Sequence, residues 1–223
     1  MIAKFCAVLG YYEHVLMFDL ASHVSGICLW NIREHRPEMT FSIEAKGKEE
    51  PRVFELHRLI DELFSRLAGM GYDMSKVLVS KEAAPMQAGR FTTAQTLIAL
   101  GKSHAVLDLY CASHLVDVYD YVGVAPATTH AHLRRILGLT AKDKVQKEDI
   151  KRYVEDTYGI SCGTLDESDA AFLAETFVDV HWDRQIDEQI KVVKRHRRTL
   201  KAQRAIDSCD EEIKRLESLK NAK

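Results

Sequence analysis

A chain of 223 residues, 46% hydrophobic and 29% charged, holds enough apolar material for one substantial domain with an appendage, which excludes disordered and fibrous classes. The formal net charge of -2 excludes a globally cationic nucleic-acid binder, so any basic surface has to be local. Five scattered cysteines without a C-x-x-C pair argue against a disulfide framework and a zinc knot and fit a reducing compartment. With no apolar run of about 20 residues and no cleavage pattern near the start, the expectation is a soluble, cytoplasmic protein with no membrane association.

In chain order, residues 15–20 and 26–32 read as two strands, with "SHVSG" as the hairpin turn between them. Residues 39–45 are a third extended piece. Pro51 opens a helix in which Val53, Leu56, Leu59, Ile60, Leu63 and Leu67 recur at three and four, and Gly69 closes it. A short strand over 76–82 ends on Glu82. A long apolar-faced helix at 92–113, a strand at 115–121 and two shorter helices at 128–138 and 145–159 follow. Residues 165–182 read as one buried helix. This order predicts an α/β layered domain with a mixed sheet, here bounded at 1–182. Residues 183–223 contain no Gly, Pro or aromatic side chain and form a basic helical extension, one long helix or a helical pair. Ser208 and Glu211 make a capping box if a second helix begins there.

Asp19 is the residue that needs explaining, because a carboxylate within "VLMFDL" costs several kcal/mol to bury unless something compensates it. Asp166 and Asp169 sit three apart in "LDESDAAFLA", a spacing that puts both on one helix face. Taken alone, that pair is better explained by the preference of acids for the first turn of a helix. Together with Asp19 and Glu82 on strands, it makes four carboxylates that repel one another unless a hard divalent cation lies among them.

These residues and their surroundings resemble the RuvC family of Holliday-junction resolvases. The likeness rests on the Asp19 strand turning through Gly26 into a second strand, on "VLVSKEAAPMQAG" followed by a long helix with a central Gly, on "HLRRILGLTAKDKVQ" with Gly138 and Lys144 six apart, and on the D-x-x-D-A motif at Asp166, Asp169 and Ala170. It covers roughly residues 14 to 182. The resemblance implies a ribonuclease-H-like fold in which Asp19, Glu82, Asp166 and Asp169 hold two Mg2+ ions, with Mn2+ as a substitute, for hydrolytic nicking of phosphodiesters. It also implies a homodimer acting on four-way junctions or related branched DNA, with Arg134 and Lys144 near the scissile strand; with Arg135 and Lys142 these form a short basic cluster in the sequence, a second candidate DNA contact. The family's aromatic wedge position is occupied by Pro85, which leaves Met86 or Phe91 for that role. The longer segment between Thr140 and Asp166 and the C-terminal helix mark a divergent member, of phage or viral type.

Seven positive charges between Lys191 and Arg204 occur without an intervening acid, and Arg195, Arg197 and Arg198 are the densest part. They read either as a phosphate-contacting strip or as a solvated helix face. His130 and His132, lacking a partnering Cys or a nearby third His, read as a polar loop. His104 and His114 read as helix and turn residues. Two other function classes remain open: a catalytically silent branched-DNA binder with the same fold, and an actin-like ATPase. The latter lacks the Gly-rich hairpin it needs, since "DLASHVSG" offers only Gly26.

Overall fold

Continuous apolar runs, buried on both faces, build the centre of the sheet around Asp19. In the computed structural model, β1 (His14–Asp19) pairs antiparallel with β2 (Val24–Asn31), which pairs antiparallel with β3 (Arg36–Glu44). β4 (Val77–Lys81) runs parallel to β1 on its other side, so the order is β3-β2-β1-β4 and the sheet is mixed. Val118 and Val124 extend the sheet beyond β4 through single parallel bridges to Val79 and Glu82. The residues described are 12–21, 23–46, 49–84, 93–118, 123–140, 143–182, 187, 190–191, 193–195, 197–198 and 203–221.

The helices are α1 (Glu49–Gly69), α2 (Ala94–Ser113), α3 (Pro126–Ile136), α4 (Lys147–Tyr158), α5 (Leu165–Thr176) and α6 (Gln203–Asn221). Side chains of a strand alternate between faces. Leu16, Phe18, Ile27 and Leu29 therefore bury against α1 and α2, alongside Ile60 and Leu107. Val15, Met17, Cys28 and Trp30 bury on the opposite face with Leu133, Val154 and Phe172 of α3, α4 and α5. Fully burying side chains of this size contributes about 1.5–3 kcal/mol each, so the two layers clamp the sheet from both sides.

Two expectations change. The single helix anticipated over 165–182 is α5 followed by a π-helical turn, Phe177–Trp182. Ser208 is not a cap: α6 begins at Gln203 and carries Ser208 on its exposed side. Beyond residue 182 the described helical residues pair antiparallel with α6. Arg197 bonds Asp210 at 2.5 and 2.9 Å, and Lys194 meets Glu217 at 3.3 Å. Ile190 and Leu216 bury in the cluster that α5 shares, so this pair packs on the α5 side of the sheet. Among the described residues, no helix is long and apolar enough to cross a membrane.

Candidate functional site

Period two decides what Asp19 faces. Val15 and Met17 point toward α5, and Asp19, two residues further, continues that series at the strand end. On β4, Leu78 lies on the same side, so Ser80 and Glu82 follow it there. Lys81, on the alternate face, is buried and ion-paired to Asp108 of α2. The Glu82 amide donates to the Phe18 carbonyl at 2.9 Å, which aligns Glu82 with Asp19 across the parallel pair.

Two glycines allow the other elements to close on this edge. Gly26 lies opposite Asp19 in the ladder, and a Cβ there would sit 1.8 Å from the Asp166 carbonyl oxygen. Only glycine lets the first turn of α5 pack so tightly on β2. Gly123, with φ of +87° and a would-be Cβ 2.6 Å from the Lys81 carbonyl, brings Val124 alongside Glu82.

α5 is capped by Thr164, whose hydroxyl accepts from the Glu167 amide at 3.2 Å. Its first turns carry Asp166 and Asp169, and one carboxylate oxygen from each of Asp19, Asp166 and Asp169 lies within 4.8 Å of the others. Glu82 lines the same open cleft with Asp19, Asp169, Thr129, His130, Gln146 and Lys147. Burial, then the Asp169 carboxylate, pushes Asp19 up to about 7; Lys147 pulls against this, and Asp166 adds to it. Burial, then Asp19 and Asp169, pushes Glu82 up to about 7. Asp169 is raised chiefly by burial, against the pull of Lys147.

Lys147 is the site residue that the sequence reading missed. It opens α4 and donates to Asp169 Oδ2 at 2.6 Å and Asp166 Oδ1 at 3.2 Å. Burial lowers its pKa, but the bonds to Asp169 and Asp166 outweigh that and hold it above the ordinary lysine range. A signal was present: a lysine in the first turn of a helix opposes the helix dipole and needs another reason to be there. Lys144, the lysine expected near the scissile strand, lies exposed in the loop before α4.

Arg134 is half-buried on α3 and its charge is felt by Asp143 in the following loop. Arg195 and Arg198 are exposed, while Arg197 is committed to Asp210. Met86, Phe91 and Lys142 lie outside the described residues. His130 and His132 are not in a polar loop; both lie on α3, where His130 borders the cleft and His132 is buried.

The acid cluster fits a hard divalent cation. Its donors are all carboxylate oxygens, Asp169 Oδ1 is buried without a hydrogen-bond partner, and burial, reinforced by the neighbouring carboxylates, already raises the proton affinity of Asp19 and Asp169.

No protein-family model matches the sequence, and no curated protein matches it. Solved structures do. RuvC of Thermus thermophilus in complex with a Holliday junction substrate aligns at a TM-score of 0.54 and 14% identity, covering 78% of this chain and 96% of that one. The yeast mitochondrial Holliday junction resolvase Ydc2 aligns at 0.53 and 13% identity, covering 83% and 87%. The fold is that of the RuvC resolvases. Within this RuvC-like frame, Asp19 and Glu82 come from neighbouring parallel strands and Asp166 and Asp169 from the helix that covers them.

Proposed function

We propose that this chain is a divalent-metal-dependent endonuclease that nicks branched DNA, with four-way junctions as its preferred substrate. The observation that carries the reading is the convergence of Asp19, Asp166 and Asp169, with Glu82 beside them, at one edge of a RuvC-like sheet. Two Mg2+ ions held by these carboxylates, with Mn2+ as a substitute, supply Lewis-acid activation of water and charge neutralisation at the departing oxygen.

The chain's own groups do the rest. Asp19 and Glu82, fixed on strands, hold their carboxylates in place at little entropic cost, and the α5 cap keeps Asp166 and Asp169 in register with them. Lys147 orients Asp166 and Asp169 and offers a positive charge to an incoming phosphate. Gln146 and His130 border the cleft beside it. Arg134, Lys142, Lys144 and the exposed Arg195 and Arg198 provide cationic contacts for the arms of the junction, with Arg197 partly neutralised. Met86 or Phe91 is the proposed wedge at the branch point.

Symmetric cutting of a four-way junction needs two active sites, which favours a homodimer. Ile98 and Leu109 support α2 as its contact surface: eleven residues apart, they share a helix face, and they are 58% and 69% exposed. Free thiols at Cys28, Cys111, Cys162 and Cys209 support action in a reducing, intracellular compartment.

A second reading has one observation in its favour. Lys147 already neutralises Asp166 and Asp169, as expected of a silent binder that no longer takes a metal. Cleavage of a labelled four-way junction, a flap and a linear duplex in Mg2+ separates the two. The nuclease reading expects the junction to be nicked fastest. Tight junction binding with no cut in any substrate, in either Mg2+ or Mn2+, would move the assignment to the binder.

A further inference from the structure

A second group of ligand-type side chains lies on the same helix, α5, at its far end. Glu175 lies in the last turn of α5, and the π-helical turn that follows presents Asp179 beside it. His132 reaches both from α3. Its Nε2 lies 3.6 Å from Glu175 Oε1 and 3.5 Å from Asp179 Oδ2. One ligand atom from each of the three falls within 4.8 Å of the others. His132 and Glu175 are each only 3% exposed.

The group is incompletely satisfied. Tyr153 donates its hydroxyl to Glu175 Oε1 at 2.8 Å and the Tyr158 hydroxyl also faces Glu175, yet Glu175 Oε2 is buried and makes no well-formed hydrogen bond. His132 Nε2 is likewise buried and forms no hydrogen bond. Native interiors rarely leave such atoms unpaired, and two carboxylates this close call for a cation between them. The Nε2–oxygen separations are too long for hydrogen bonds. They match the separation of about 3.4 Å between two donors on one tetrahedral zinc ion with bonds of about 2.0–2.1 Å.

We propose that His132 Nε2, Glu175 and Asp179 are the three protein ligands of a second metal site of the zinc class, distinct from the acid cleft, with the fourth position left to water. The mixed imidazole and carboxylate donors select a borderline ion over magnesium. His35, 2.7 Å from Asp179 Oδ1, holds that carboxylate from its other oxygen, as partners behind metal ligands do. The bound ion ties α3, whose Thr129, His130 and Leu133 border the acid cleft, to the helix that carries Asp166 and Asp169.

Arg135 gives the site a distinctive feature. Its Nη2 lies 2.9 Å from His132 Nδ1, and a guanidinium only donates, so in this arrangement the His132 proton belongs on Nε2. Zinc ligation requires the other tautomer. The exposed Arg135 side chain must therefore swing away, and it acts as a competitor of the metal.

The test uses the full chain carrying Asp19→Asn and Asp169→Asn, which weakens metal binding in the cleft, and Zn2+ as the probe. After desalting, one zinc per chain and a raised melting temperature are expected. In the same background, His132→Gln is expected to weaken zinc at least tenfold and abolish the thermal shift. No retained zinc, or equal retention in the His132→Gln protein, would overturn the site. Should that variant fail to fold, Arg135→Ala decides: zinc binding several-fold tighter supports the proposal, and unchanged or weaker binding overturns it.

Discussion

The two ends of α5 present two solutions to the same electrostatic problem. At its start, the carboxylates of Asp166 and Asp169 meet those of Asp19 and Glu82 beside an open cleft, with Lys147 as the counter-charge. At its end, Glu175 and Asp179 meet His132 and His35 in a more enclosed setting that mixes nitrogen and oxygen. An open carboxylate cluster suits hard ions that exchange and admit a substrate, whereas a more enclosed set of nitrogen and oxygen donors suits a borderline ion. One helix thus carries a candidate reaction centre and a candidate fastening some ten residues apart.

The largest expected effect comes from breaking the first cluster alone. Glu82→Gln should lower Mg2+-dependent nicking by roughly 10^3-fold while leaving retained zinc at the wild-type level, read by nicking rate and metal content on the same preparation. Lys147→Met removes the counter-charge and keeps the carboxylates; nicking should fall by roughly 10- to 100-fold, with junction affinity little changed.

A smaller effect concerns stability. Asp19 titrates near 7 in the folded chain against 3.8 when unconstrained. Between those values the folded state holds the proton that the unfolded state has released, so this group costs stability as pH rises from about 4 to about 7. Asp19→Asn in the presence of a chelator should therefore raise the melting temperature by several degrees at pH 8, with the gain shrinking toward pH 4. A gain that is the same at every pH would show that burial and the neighbouring carboxylates do not raise Asp19. The smallest effect is on salt dependence. Arg195→Ala, Arg197→Ala and Arg198→Ala together should flatten the slope of junction binding by about 2 rather than 3, because Arg197 already pairs with Asp210.

Much of the acid cleft was legible because it follows from local periods. Alternation along "VLMFD" and "VLVSKE" puts Asp19 and Glu82 on one face, and a spacing of three puts Asp166 with Asp169. Lys147 was not legible, since its contact depends on how α4 lies across the start of α5. Its neighbour Lys144 is only three residues away, yet it stands in the preceding loop. The His132 cluster was hidden for a related reason. His132 and Glu175 are 43 positions apart in the chain, and Asp179 lies in a π-helical turn that an apolar pattern reads as plain helix. The Gly26 approach to Asp166 is equally nonlocal, although the glycine itself was conspicuous beside the first strand.

The most direct test of the central claim is single-turnover nicking of a labelled four-way junction in Mg2+, by wild type and by Asp19→Asn, each at saturating protein. The account predicts cleavage by wild type and a loss of roughly 10^3-fold or more in the variant, with junction affinity equal or tighter. Cleavage by the variant at the wild-type rate, or binding without cleavage by both, would contradict it.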